Sequence, residues 1–535
     1  MNRRTRKHLV ITASIVALFA GGMLVAELCL RRAVLGAVER TLSVTGAQVS
    51  VGRVSVSIPR RSVRVRDIHI RAQGNDLAQR GFTVVSLDAH LGCVSMHGVR
   101  LGSGGLGARR LTVESPSLSL VTRTIESGDQ PAAPAKPFKD IPLEKIAIKT
   151  ISITGATIDY TQWLSDSEST RVVMGGGNIE ARDFSLDSLS GGLVPFADKI
   201  LFSDNIQVSL DSLTYAFDQG MQELRIDGAT LETATQNLSI EKIALQPQLP
   251  KEEFARRHPR HSDWTSVSVD TINCTGLDLA KLLSEKSLSI DSVSIAAADI
   301  RSFKNRKVFQ PAATKPMLQQ TIQQLPLPLD IRTVAYRNLD IVYDELPESA
   351  ITDTPGTVTL TDGSGTIRNL TNIVEGHDRF IAIDYTTALM GSGRIHSTTL
   401  LPVAATDNHW EISGRLGPTD MRTFNRALEP LMNAKITSGE IASLDFHLTG
   451  TLQRSHMELT MRYDNLGIEF LDRRDRERKL LNFLADDLLI RSDNPGRNGR
   501  GRLRSAEGDF TRDPERSMYH FIWHSFVPAI LRTVI

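Results

Sequence analysis

The chain has 535 residues, and its net charge of +1 supplies no field for gripping nucleic acid. Aromatic residues make up only 5 %, which argues against a compact core built on large rings. The three cysteines, Cys29, Cys93 and Cys274, form neither a disulfide scaffold nor a CxxC metal pattern, and a Cys93–Cys274 pair in an oxidising compartment is left open.

The first element is an apolar run, LVITASIVALFAGGMLVA, over residues 9–26, with no charged side chain. At 1.5 Å per residue this is the lower end of what crosses a hydrocarbon core of about 30 Å. Cys29 and Leu30 extend it to 9–30 if Glu27 sits at headgroup level. Arg3, Arg4, Arg6 and Lys7 precede the run without an acid. Arg31, Arg32 and Arg40 follow it, offset by Glu27 and Glu39. The bias puts the N-terminus in the cytoplasm and the rest of the chain across the membrane. A charged start and an apolar middle also suit a cleaved signal peptide. No small-x-small site closes the run, which favours the anchor, and Glu27 and Leu28 before Cys29 spoil a lipobox.

Just past the anchor, Leu30, Val34, Val38 and Leu42 recur every fourth residue and predict a helix. After Gly46 the period changes to two. In SVGRVSVSIPRRSVRVRDIHI (50–70), small or polar residues alternate with Val and Ile, as in strands with two unlike faces.

One short unit recurs seven times: apolar-x-apolar, four residues, then apolar-x-residue. The copies start at Val56/Val63, Leu111/Leu118, Ile151/Ile158, Val208/Tyr215, Leu224/Leu231, Val293/Ile300 and Val334/Ile341. The middle residues are often turn-prone, as in TGAT (154–157) and DGAT (227–230). Each copy reads as a short hairpin or as a strand with a tight bend. Stacked repeats of such units predict an elongated, quasi-one-dimensional body.

Two segments interrupt the strands. SGDQPAAPAKPFKDIPL (127–143) reads as a flexible loop. QPAATKPMLQQTIQQLPLP (310–328) holds a short helical piece between prolines. A further helix is predicted over 419–432 on the line Met421, Phe424, Leu428 and Leu431, with Pro430 near its end. Strands return over 441–450 and 457–463. The last residues, YHFIWHSFVPAILRTVI (519–535), read as an apolar element closing a sheet end or as a surface meeting a membrane or a partner. Pro528 argues there against one uninterrupted helix.

Signs of catalysis are weak. Gly102, Gly104 and Gly107 match GxGxxG literally, but a strand pattern rather than a helix follows, so a glycine-rich bend is expected. Gly175, Gly176 and Gly177 read the same way. His258, His261 and Asp263 have metal-ligand types, but Arg256, Arg257 and Arg260 crowd them and Pro259 breaks the spacing. No HExxH, GxSxG or P-loop pattern occurs, and no carboxylate pair stands out for acid–base work. LDRRDRERK (471–479) reads as a solvated segment. No catalytic residue, cofactor or metal ligand is therefore predicted.

The order of features resembles the start of AsmA-like envelope proteins. Residues 31–70 carry the match: a helix ending near Gly46, an S-V-G-R-V strand, then a V-R-V-R-D-I strand. ISITGATIDY (151–160) is similar to the family's recurring unit. LPLPLDIRTVAYRNLDIVYDE (325–345) resembles the form in Bacteroidetes-type members. SGRIHSTTLL (392–401), ITSGEIASLDFHLTG (436–450) and the apolar ending fit the same plan. The resemblance implies a mainly β chain in which an N-terminal transmembrane helix precedes an elongated, curled, repeating β-sheet groove with a few short helices.

The organisation that follows is a cytoplasmic tail over 1–8, an anchor over 9–30 and a helix with strands over 31–126. A loop over 127–143 and repeating β-units over 144–309 come next. A helical insert over 310–328, further strands over 329–518 and a closing segment over 519–535 complete it. The resemblance also implies an inner-membrane, periplasm-facing protein of outer-membrane biogenesis that binds or conducts phospholipids. Its partners would be acyl chains and an envelope protein at the C-terminal end. The candidate groove residues are Val56, Ile58, Val63, Val65, Ile151, Ile153, Ile158, Val334, Tyr336 and Ile341. The competing reading is a non-enzymatic scaffold rod, with interiors filled by side chains.

Overall fold

A computed structural model describes residues 48–57, 60–73, 82–102, 105–124, 145–187, 200, 202–257, 263–308, 314–348, 354–471, 490–496 and 501–535. The anchor at 9–30, the helix after it, the loop at 127–143, the histidines at 258 and 261 and most of the charged run at 471–479 lie outside these residues. Within them the protein is mainly β, 66 % strand against 12 % helix, as the period of two requires. It divides after Ile243 into two units.

The first unit is a run of paired strands. β1 (Gln48–Ser57), β2 (Ser62–Gln73) and β3 (Phe82–His97) pair antiparallel in sequence. β5 (Gly105–Thr124) pairs antiparallel with β3 and with β4 (Arg100–Gly102). β6 (Lys145–Trp163) lies parallel to β5. β7 (Ser169–Asp187), β8 (Asn205–Phe217) and β9 (Gln222–Glu232) follow as antiparallel neighbours, and β10 (Asn237–Pro247), whose last four residues belong to the second unit, pairs with β9.

The second unit repeats the plan. A short helix α1 (Lys251–Arg257) precedes β11 (Trp264–Thr275), and α2 (Leu279–Ser284) leads into β12 (Leu288–Asn305). β12 pairs antiparallel with β11 and parallel with β13 (Leu329–Leu346). The crossover between them carries α3 (Leu318–Gln323), the helical piece expected between the prolines. β14 (Gly356–Thr371), β15 (Phe380–Leu389), β16 (Gly393–Pro402) and β17 (Trp410–Leu416) continue the antiparallel ladder. β19 (Ala434–Gly450) pairs with β17 and with β18 (Thr419–Asp420), and β20 (Arg454–Phe470) and β21 (Ser505–Thr511) complete it. The helix expected over 419–432 is a 3₁₀ turn (Met421–Phe424) running into α4 (Asn425–Met432), ended by Asn433 in the left-handed region.

The repeated unit lies along a single strand in six of its seven copies, and in four of them, on β5, β6, β9 and β13, a left-handed residue bends the strand between its halves. Only Val56/Val63 spans a hairpin, between β1 and β2. The other copies lie along β5, β6, β8, β9, β12 and β13. The bends themselves fall in register. Ser115 of β5 and Gly155 of β6 both have positive φ, and the parallel pairing breaks between Glu114/Thr154 and Ser117/Thr157. Gly176 of β7 continues the line at φ +65. A Cβ there would sit 1.9 Å from Asp211 Oδ2, so the glycine triplet is the bend that its composition suggested. Asn178 ties the two bends together, accepting from Gly155 N and donating to Gly176 O, both at 3.0 Å. The other glycine-rich stretch, around 102–107, is flanked by β4 and β5 with Gly102 opposite Gly105, a hairpin with no helix after it.

The C-terminal residues form a single helix, α5 (Met518–Val534), which runs through Pro528. This corrects the expectation of a break there. The ring lies against β21 at Gly508, where a Cβ would come within 2.9 Å of both Pro528 Cβ and Ala529 N. Tertiary packing outweighs the one backbone donor that proline removes. Phe521 and Ala529 are fully buried in the core of the second unit, with Trp410 edge-on to Phe521 at 5.6 Å. The helix is thus the closing element over a sheet end. Cys93 and Cys274 are both buried free thiols, one in each unit, so the disulfide left open by the sequence is not formed.

Candidate functional site

Pairing in register turns the alternation of single strands into rows across the sheet. In the first unit one row runs through Val54, Val65, Val94, Val113, Ile153, Ile179, Val208 and Leu231, one residue from each of eight strands. At about 4.8 Å per strand that is roughly 34 Å of unbroken apolar surface along the sheet. A second row runs through Val56, Val63, Met96, Leu111, Ile151, Ala181 and Ile206. Beyond the bends a third joins Leu118, Ile158, Met174, Leu213 and Ile226.

The second unit has equivalent rows. One joins Cys274, Val293, Val334, Ile367, Ile383, Thr399, Ile412, Leu448 and Met457, ending on Gly508 beneath α5. Another joins Val267, Ile300, Ile341, Leu360 and Leu389. A third carries Ile272, Ile295, Tyr336, Gly365 and Tyr385. The Tyr336 hydroxyl lies over Gly365, where a Cβ would meet it at 2.6 Å. Burial pushes the Tyr336 phenol up to about 12, with Tyr385 nearby adding to the effect.

Nine of the ten candidate groove residues fall on these rows, and Ile58 lies outside the described residues. Val63, Val65, Ile151 and Val334 are buried. Val56, Ile153, Ile158, Tyr336 and Ile341 are half-buried. The nine divide between the units, three in the second and six in the first, so the sequence pattern found two faces rather than one site.

The opposite face is ionic. Arg171 holds Asp159 with two hydrogen bonds, 3.0 Å from Nε and 2.7 Å from Nη2, and this keeps the Asp159 carboxyl below its ordinary range. Arg301–Asp299 at 2.9 Å and Arg225–Asp227 at 2.8 Å lie on the same outward face of their strands. All of these are solvent-exposed pairs that favour solubility more than stability.

The two apolar faces differ in how far they are covered. Over β16–β21 the face is filled, with α5 against β20 and β21 and the 3₁₀–α4 segment against β19, and Leu401, Trp410, Leu448, Met457 and Leu459 are at most 1 % exposed; α4 also packs on β14, at Gly356. Over β11–β15 the rows stay half-buried: Ile272, Ile295, Ile300, Ile341, Leu360 and Ile383 keep part of their surface accessible. The rows over β7–β9 are half-buried in the same way, at Ile179, Met174, Val208, Leu213 and Ile226.

At one end of the strands the face turns polar. In β5 and β6 the Thr122 and Tyr160 hydroxyls lie 3.0 Å apart, and Tyr160 donates to Gln162 Oε1 at 3.3 Å. In β12 and β13 the alternation carries Ser302 and Lys304 beside Tyr343 and Glu345. Tyr343 donates to Glu345 Oε2 at 2.6 Å, and burial with Glu345 beside it pushes the phenol far above its ordinary value. Arg306 Nε lies 2.7 Å from Glu345 Oε1. The sequence reading did not single out this cluster. Its signal was a lysine at the inward position of an otherwise apolar alternation, Ala298-x-Ile300-x-Ser302-x-Lys304.

Among the described residues no three His, Cys, Asp or Glu side chains converge as a metal site. No helix among them is long and apolar enough to cross a membrane, and the expected anchor lies outside them. No family model matches the chain, and no curated protein is detectably similar to it.

Proposed function

We propose that the protein is a non-enzymatic, membrane-anchored envelope protein of AsmA-like type that binds or conducts phospholipids along the apolar face of its sheet. The observation that carries this reading is the half-buried state of the in-register rows over β7–β9 and β11–β15. A sheet built only for stability would cover such a face, since each fully buried Val, Leu or Ile adds about 1.5–3 kcal/mol. Extended apolar surface left partly open is the usual mark of an interaction surface. Acyl chains suit it because rows of Val, Ile and Leu offer dispersion contact without hydrogen bonds to satisfy. The N-terminal apolar run would tether the sheet in the inner membrane beside its lipid source, with the remainder in the periplasm.

The filled face over β16–β21 favours a second reading, a scaffold rod in which the whole sheet interior is closed. The two readings separate by photocrosslinking. A benzophenone side chain replaces Leu213 or Ile300 on the apolar face, or Thr214 or Arg301 on the ionic face, in the full-length protein in its native membrane. The lipid reading expects phospholipid adducts at 213 and 300 and none at 214 and 301. Adducts to protein alone, or none at the apolar positions, would sink it and leave the scaffold.

A further inference from the structure

The polar end of the β12–β13 face holds a buried amine in no salt bridge: burial pushes the Lys304 ammonium below its ordinary value, while Asp263 and Glu345, at longer range, act the other way. Lys304 is 4 % exposed. Among the described residues no carboxylate lies within salt-bridge distance of it and no acceptor takes its protons. The cations around it are paired with carboxylates. Arg306 lies 2.7 Å from Glu345, which also accepts from Tyr343. Lys315 lies 3.9 Å from Asp263, and Arg516 lies 3.5 Å from Asp513. Lys251 lies 3.2 Å from Asp344 and sits over the Trp264 ring at 5.3 Å. Lys304 is left over, on the face that carries Ile300 and Ser302 along the same strand.

The first turns of α5 bring a second set of donors to the same place. The His520 and His524 rings have centroids 4.0 Å apart, and His520 Nδ1 is buried with no hydrogen-bond partner. Burial holds His520 down at about 4, helped by His524, Arg306, Arg516 and Lys304. His524 is also held below its ordinary value, by burial first and then by Arg306. Glu345 opposes this at His524 without reversing it. Burial is the larger cause at both rings, and the cations around them add to it. Burying a charge without a partner is costly, and an anion bound at the site removes that cost.

We propose that Lys304, with Arg306 and the His520–His524 pair, binds the phosphate of a phospholipid whose acyl chains lie along the rows through Ile300 and Ile341. This rests on the lipid reading above and deepens it. The apolar rows take the tails and the strand ends take the headgroup phosphodiester. Asp263 and Glu345 beside the site disfavour a carboxylate-rich ligand, which has more charge to place near them than a single phosphodiester.

The test uses the full-length protein in mild detergent, offered equal amounts of phosphatidylglycerol and of diacylglycerol with the same acyl chains. Bound lipid is quantified by mass spectrometry. A charge-assisted hydrogen bond contributes about 1.5–3 kcal/mol, so wild type should prefer the phospholipid by about tenfold or more. Lys304→Met should bring the preference close to unity while total bound lipid stays similar, and it should raise the melting temperature. Lys304→Arg should keep the preference, and Arg301→Met on the outer face should leave it intact. Inorganic phosphate should compete with phosphatidylglycerol.

A Lys304→Met protein with the wild-type preference overturns the site while leaving the lipid reading standing. Wild type that retains neither lipid overturns the lipid reading itself. Stabilisation by inorganic phosphate with no phospholipid bound would mark a free-phosphate site and overturn the headgroup assignment. If Lys304→Met does not fold, Lys304→Gln carries the same readout.

Discussion

Replacing Ile341 by Asp separates an open apolar face from a filled one. Ile341 is half-buried between Ile300 of β12 and Leu360 of β14. Full burial of an isoleucine is worth about 1.5–3 kcal/mol, so half-burial forfeits about 1 kcal/mol when the side chain is lost. Exchanging a β-branched residue for aspartate in a strand costs up to about 1 kcal/mol more. If the carboxylate reaches water from this face, the total is about 2 kcal/mol. For a unit of this size each kcal/mol lowers the melting temperature by roughly 2–4 °C, so a drop of about 4–8 °C is expected. Leu448, with no exposed surface on the same ladder, is the comparison. Leu448→Asp buries a charge with no partner and should cost more than about 4–5 kcal/mol, at or beyond loss of the fold. Melting followed by far-ultraviolet circular dichroism reads both, and lipid extraction from the same samples reads retention. Equal destabilisation by the two variants would mean that the face over β12–β14 is filled, and the reasoning from half-burial would be refuted. Unchanged phospholipid in a folded Ile341→Asp protein would count against this row as the binding surface.

The closing helix and the bends make further predictions. Phe521→Ala removes a fully buried ring that packs against Trp410 and should cost about 3–5 kcal/mol, read from denaturant unfolding. Gly176→Ala must place a Cβ against Asp211 at φ +65 and should destabilise by at least about 1–2 kcal/mol from the backbone alone. The double variant with Asp211→Gly should recover the part due to the clash. His520 has a folded value of about 4, below its unfolded value near 6.5. Between those values the unfolded chain holds the extra proton, so His520 lowers stability as pH falls from about 6.5 towards 4. The difference in melting temperature between His520→Leu and wild type should therefore grow in the variant's favour across that window. A flat difference would argue against a buried neutral imidazole.

Much of the sheet was legible in the sequence because strand alternation is a local property. A side chain on a pleated strand points to one face or the other, so Val-x-Val patterns and arginine–aspartate positions announce the two faces without knowledge of partners. The seven-copy unit also carried longer-range information. Leu111/Leu118 stacks parallel on Ile151/Ile158, and Val293/Ile300 stacks on Val334/Ile341, so like motifs became in-register neighbours. Whether the unit's centre was a hairpin or a bend could not be read. TGAT serves either, and only the neighbour strand decides: Asn178 across from Gly155 makes the bend in β6.

Tertiary structure alone decided three things. Pro528 lies inside a continuous helix because Gly508 leaves room for its ring, a contact between elements 20 residues apart. In the second unit, which part of the apolar face is filled depends on where α5 and α4 lie, and strand periodicity is the same on covered and open ground. Lys304 became a buried amine outside any salt bridge, with Glu345, opposite it in the parallel register, engaged by Arg306 and Tyr343. Alternation puts a side chain on a face, but burial and pairing depend on what the rest of the chain brings to that face.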